Sequence, residues 1–276
     1  GEQIGRYSFL GVQPKGVLTV QGTTVRVTRH GNTTERPLGP GEDALQAIAQ
    51  EFERVRPVKL EGLPRFIGGS VGYLSYDIVR AIEQLPDTAT DDLGLPDAAF
   101  MLADTLVIFD HAKHRLILLA NAHNTGDPDA AYDDALARID AIAAQLQQPL
   151  PAHAAPVPTP GADGALRSNM TRERFEMMVR DAKEHIAAGD AFQIVLSQRF
   201  SRTTTAEPFS IYRALRALNP SPYMFFLRFG DEFSMIGASP EMMVRLEDGT
   251  ATVRPIAGTR PRGANEADDA ALAAEL

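Results

Sequence analysis

The segment Arg254-Pro255-Ile256-Ala257-Gly258-Thr259-Arg260-Pro261-Arg262-Gly263 carries the strongest local chemistry in the chain. A strand that runs into a Gly-Thr corner offers backbone N–H groups and a hydroxyl to a carboxylate. Arginines spaced across it add charge-assisted donors. A small-anion pocket and a basic exposed loop both account for these residues, and residue chemistry alone does not choose between them. Upstream, Asn219-Pro220-Ser221-Pro222-Tyr223-Met224 uses its prolines to stop a helix and bring Tyr223 and Met224 out of a rigid corner onto a strand. An ordinary helix stop followed by core residues is the simpler account of that run.

Other chemistries are poorly supported. Gly68-Gly69-Ser70-Val71-Gly72-Tyr73 is spaced G-G-x-x-G rather than G-x-G-x-x-G, and no strand–turn–helix with a later acid supports a phosphate cradle, so it predicts a close-packed backbone corner. Among the six histidines, His111 and His114 share a turn with Asp110, but no third ligand stands at a metal-binding spacing. Ser197 and the other serines lack an elbow motif. The absence of cysteine excludes disulfides, thiolate metal sites and a thiol nucleophile. A net charge of −9, spread along the chain, argues against nucleic acid and against an anionic membrane surface. No apolar run approaches the roughly 20 residues of a membrane span and no signal peptide opens the chain, which makes the cytoplasm the expected compartment.

The elements that must position these residues follow from periodicity. Residues 6–11, 17–21 and 24–28 read as strands, 45–55 as a helix ending before Pro57, 102–109 and 115–120 as strands about a turn, and 130–146 as an amphipathic helix. A proline-rich stretch at 149–164 reads as a linker, with a long surface loop as the alternative. It divides the chain into an N-terminal α+β domain at 1–148, a linker at 149–167 and a second domain at 168–276. Beyond it, Thr171 caps a helix that Gly189 stops, with Phe175, Met178, Val179, Ala182 and Ile186 as its apolar stripe. Residues 192–199 alternate as a strand, 209–218 form a helix, and strands at 223–229, 233–238, 242–247 and 250–256 are joined by tight turns that favour antiparallel hairpins. Hairpins with helices outside give an α+β class. The chain opens at Gly1 without methionine and closes in an uncapped alanine-rich helix. Both ends read as cut, natural processing being the alternative.

In combination the motifs resemble one family. Phe66-x-Gly68-Gly69-x-x-Gly72-Tyr73-x-x-Tyr76-Asp77, Asp190-Ala191-Phe192-Gln193-Ile194-Val195, the Asn219–Met224 run, Gly237-Ala238-Ser239-Pro240-Glu241 and Pro255–Gly263 stand in the order found in component I of anthranilate synthase, a chorismate-utilising enzyme. The resemblance implies antiparallel sheets packed in a core with helices outside, incomplete at the C-terminus. It also implies a reaction. Ammonia from a glutamine amidotransferase partner adds at C2 of chorismate as the C4 hydroxyl leaves, with Mg2+, and pyruvate is eliminated to give anthranilate. Two positions bear on the attacking group. Aminodeoxychorismate synthases, the alternative enzyme, carry a lysine that can attack the ring where this chain has Ala257. Isochorismate and salicylate synthases carry a water-activating lysine where this chain has neutral Gln193. By the same resemblance Gly258 and Thr259 contact chorismate, and Pro222, Tyr223 and Met224 belong to a feedback site for L-tryptophan. Ser239 and Glu241 lie near the substrate, Glu241 serving equally well as a cap or ion-pair residue. The metal ligands, the general-acid histidine and the residues holding the pyruvyl carboxylate are expected after Leu276. These 276 residues are therefore expected to be inactive alone, and a non-catalytic tryptophan-binding module is the competing reading.

Overall fold

The computed structural model describes residues 5–52, 57–58, 60–150, 164–255 and 260–275. They divide into two compact units, Gly1–Pro149 with Leu215–Leu276, and Leu150–Ala214.

The first unit begins with β1 (Tyr7–Gly11), then an antiparallel meander of β2 (Gly16–Gln21), β3 (Thr24–Arg29) and β4 (Asn32–Pro37). The β3–β4 turn needs positive φ at both central residues, and His30 (51°) and Gly31 (78°) supply it. Helix α1 (Ala44–Phe52) follows, then β5 (Gly69–Leu74), a 3-10 turn (Tyr76–Ala81), β6 (Ala98–Ala103), β7 (Thr105–Asp110), β8 (Arg115–Ala120) and α2 (Pro128–Leu146). One antiparallel sheet has the order β4-β3-β2-β6-β5, and a second has β1-β7-β8. Leu18, Val20, Val25 and Ala98 from the larger sheet bury against Ala47 and Ile48 of α1 and Ile78 of the 3-10 turn. Leu106 and Ile108 are the centre of the smaller core.

Two expectations change here. The apolar run at 102–109 is not one strand: the chain leaves β6 at Ala103 and enters β7 at Thr105, passing from one sheet to the other at the buried Asp104. The glycine-rich segment is close-packed, as expected, but most of it is strand β5 rather than a corner. A Cβ on Gly72 would lie 1.9 Å from the Ala99 carbonyl oxygen of β6, so only glycine permits this approach.

In the second unit, β9 (Arg167–Ser168) pairs with β10 (Phe200–Ser201). Between them runs α3 (Arg172–Ala188). The Thr171 hydroxyl accepts from Arg174 N–H at 3.2 Å, and Gly189 ends the helix in the left-handed region at φ 86°. Of the predicted stripe only Ala182 is buried, while Val179 and Ile186 stay exposed. Among the described residues the strand expected at 192–199 takes no part in a sheet: ladder pairing begins at Phe200, although the Arg199 carbonyl accepts from Asn169 N–H at 3.0 Å, and Phe192 and Val195 are exposed. Alternation marks an extended segment, but a strand also needs a neighbouring backbone, which sequence pattern does not supply.

Helix α4 (Pro208–Leu218) spans the division between the units. Thereafter β11 (Tyr223–Phe229) and β12 (Phe233–Ser239) form one hairpin, β13 (Arg245–Glu247) and β14 (Thr250–Thr252) a second, and α5 (Glu266–Glu275) closes the described chain. Antiparallel sheets with helices make the class α+β. Among the described residues no helix is long and apolar enough to cross a membrane.

Candidate functional site

The Asn219–Met224 corner forms as its prolines dictate: α4 stops at Leu218 and β11 starts at Tyr223. Hairpin register then places Tyr223 opposite Ser239 and Met224 opposite Ala238. The Ser239 hydroxyl donates to the Glu241 carbonyl at 3.0 Å, closing the turn that carries Pro240. The structure thus brings Tyr223 and Met224 of the first run beside Ser239 and Ala238 of the second, two groups of residues that sequence had kept apart. At the other end of the hairpin, Phe229 stacks on Phe233 with centroids 4.8 Å apart, and both meet the edge of the Tyr73 ring. The Tyr73 hydroxyl donates to the Pro96 carbonyl at 2.8 Å. Burial, with Asp97 adding to it, pushes this phenol above its ordinary value.

Opposite Phe225 stands Gly237, and the Phe225 ring occupies the space a side chain would fill. A Cβ there would meet the ring at 2.2 Å. Because the obstacle is a half-exposed ring and not backbone, Gly237→Ala is expected to cost only about 1–2 kcal/mol. Phe225→Leu in the same chain should recover most of that cost. Chemical unfolding followed by circular dichroism checks both, and additive losses would show that the two residues do not interlock.

Ala257, Gly258 and Thr259 lie outside the described residues. On their N-terminal side, Pro255 and Val253 join Glu241, Met242 and Met243 around an open concavity of about 400 Å3. The Arg65 guanidinium meets the Glu247 carboxylate at 2.9 Å and ties the β13–β14 hairpin to the segment before β5. On their C-terminal side the arginines are already engaged by α5, Arg260 with Glu275 at 3.6 Å and Arg262 with Asp269 at 2.9 Å. Gln193 belongs to the other unit, where it is exposed in the stretch that precedes β10. Among the described residues no group of three or more histidines, cysteines or acids gathers to hold a metal.

One cleft was not foreseen. About 490 Å3 in volume, it opens between Val12–Val17 and α2, with Asp104 and Thr105 also lining it. Asp104 is 6% exposed and is held by Arg138 at 3.1 Å, His123 at 3.2 Å and, more loosely, Lys15 at 3.9 Å. Burial first, and the Lys15 charge second, push His123 below its ordinary pKa. The only signal in the sequence was Asp134 four residues before Arg138, which reads as an exposed helical ion pair.

With this geometry in view, the chain can be placed. It matches the chorismate binding enzyme family over residues 6–276 and belongs to that family. It is similar to anthranilate synthase component 1 of Pseudomonas aeruginosa, at 44% identity over all of this chain and 56% of that protein. The component 1 of Mycolicibacterium smegmatis is 40% identical over all of this chain and 53% of its own length. The crystal structure of anthranilate synthase component I from Streptococcus pneumoniae superposes with a TM-score of 0.70 at 28% identity, covering 90% of this chain and 53% of that one. The chain spans about half the length of the curated relatives it matches.

Proposed function

We propose that this chain supplies the effector corner and one wall of the substrate pocket of an anthranilate synthase large subunit, working in the cytoplasm in tryptophan biosynthesis. The observation that supports this best is that residues 6–276 match the chorismate binding family while the full-chain relatives at 40–44% identity bear the anthranilate synthase name. The overall reaction is chorismate plus ammonia to anthranilate, pyruvate and water, the ammonia drawn from glutamine by a partner subunit.

Within it Gly258 and Thr259 bind chorismate. Ala257 offers the ring no nucleophile, and Gln193 is too weak a base to activate water, so ammonia is left as the attacker. Pro222, Tyr223 and Met224 bind L-tryptophan as feedback inhibitor. Enzymes of this family generally use Mg2+, but the described residues do not form a site that fits it, and no step is assigned to the metal. Turnover is assigned to the longer enzyme and not to these 276 residues alone.

The chain contains no tryptophan, so bound L-tryptophan can be followed by its own fluorescence anisotropy. The expected result is binding of chorismate by calorimetry and of L-tryptophan by anisotropy, without anthranilate fluorescence when ammonium and Mg2+ are added. Failure of the chain to bind chorismate would remove the substrate assignment, failure to bind L-tryptophan the effector assignment. Chorismate-dependent anthranilate fluorescence would remove the assignment of turnover to the longer enzyme.

A further inference from the structure

Among the described residues lining the cleft beside Asp104 are two lasting positive charges, Arg138 and Lys15, and they are held very differently. Arg138 is spent: its donors reach Asp104, Thr105, Asn121 and Asp134, all within 3.1 Å. Asp104 is also served, since the Thr105 hydroxyl donates to it at 3.2 Å and His123 lies at 3.2 Å. The Lys15 ammonium is left over. It stands 3.9 Å from Asp104 Oδ2, beyond hydrogen-bond reach, and among the described residues it makes no hydrogen bond. Its side chain is nevertheless only 28% exposed, so three donors point into a partly enclosed space with no protein acceptor.

The backbone that carries this ammonium is fixed. The Lys15 N–H donates to the Leu102 carbonyl at 2.9 Å, and two residues earlier Gln13 holds a φ of 50°, a left-handed conformation uncommon for glutamine. Val12 and Pro14 from the same loop and Ile142 from α2 supply apolar walls. A volume of about 490 Å3 with an apolar lining and few polar groups is the usual make-up of a small-molecule site.

We propose that this cleft is a binding site for a small ring carboxylate, whose carboxylate takes the Lys15 ammonium and whose ring lies between the loop and α2. Charge decides for a monoanion. One cation is open, while Asp104 and Asp134 stand on the same walls, so a second negative charge would meet repulsion with no cation to offset it. Tyr223 and Met224, proposed for the effector, do not line the cleft, and the inference does not depend on that assignment.

The test is titration of the chain with anthranilate, followed by that ligand's own fluorescence, with its two halves as comparators. Aniline keeps the ring without the charge and acetate the charge without the ring, and each should bind about tenfold more weakly or worse. Lys15→Met is expected to weaken anthranilate about tenfold, the loss of one charge-assisted hydrogen bond. Gln145→Glu, on the exposed last turn of α2, keeps the shape of the wall but adds a like charge, and should weaken it about threefold. Circular dichroism checks that both variants keep the parent fold. No saturable anthranilate binding by the parent, parent-like affinity in Lys15→Met or in Gln145→Glu, or aniline as tight as anthranilate would each overturn the inference. Chorismate binding without anthranilate binding would overturn it and leave the functional reading standing.

Discussion

Replacing Arg138 by methionine is expected to lower the stability of the first unit by about 3–5 kcal/mol, the cost of stranding a buried charge. Arg138 sits on α2, yet most of its donors are spent on the sheets. It donates to Asp104 Oδ2 at 3.1 Å, to the Thr105 hydroxyl at 2.7 Å and to the Asn121 carbonyl at 2.8 Å, while its Nε reaches Asp134 at 3.0 Å. Methionine keeps the bulk of the stem but leaves the Asp104 carboxylate to His123, the Thr105 hydroxyl at 3.2 Å and the distant Lys15, none of which replaces the guanidinium. Asp104→Asn in the methionine background should recover part of the loss, because a neutral amide costs less to bury than an unpaired carboxylate. Urea unfolding followed by far-ultraviolet circular dichroism measures both variants. A midpoint in Arg138→Met no lower than in Asp134→Ala, which removes only the exposed helical pair, would show that the buried pair is not what joins α2 to the strands.

Gly72→Val is expected to be at least as damaging, through sterics and not charge. The added Cβ would lie 1.9 Å from the Ala99 carbonyl oxygen and 2.7 Å from the Phe100 Cα, and neither can move without dismantling β6. The strand must then leave the sheet, giving up its pairing from Gly69 to Leu74 and the seat of Tyr73 against Phe229 and Phe233. A loss above about 3 kcal/mol, seen as poor soluble yield or a collapsed unfolding midpoint, is the expected outcome. Gly11→Ala is the matched control: its Cβ would make ordinary contacts at 3.6 Å with Ala103 and 3.8 Å with Leu106. Equal midpoints for the two variants would show that β5 does not need the close approach.

These effects show where sequence reading works and where it stops. Local signals were legible because their causes are local. Thr171 and Gly189 bounded α3 correctly, since a cap hydroxyl and a left-handed glycine act within one turn. The prolines of the Asn219–Met224 run ended α4 and started β11 for the same reason. Apolar alternation recovered β2, β3, β8, β11 and β12 closely, because a half-buried strand needs little more than a period of two. The same alternation failed at 192–199, which among the described residues joins no sheet. It failed again at 102–109, where an unbroken apolar run hides a change of sheet at Asp104.

The sequence by itself determined the family and the α+β class, and it singled out the residues proposed for substrate, effector and nucleophile choice, since all of these readings rest on residue type and order. Tertiary structure decided which of them are neighbours. Only hairpin register sets Tyr223 opposite Ser239, only the approach of α5 hands Arg262 to Asp269, and only the packing of α2 on the strands turns an apparent surface arginine into the partner of a buried aspartate. The physical reason is common to all three. Contacts between residues far apart in the chain depend on which backbones come within a few ångströms of one another, and no periodicity in the sequence encodes that distance.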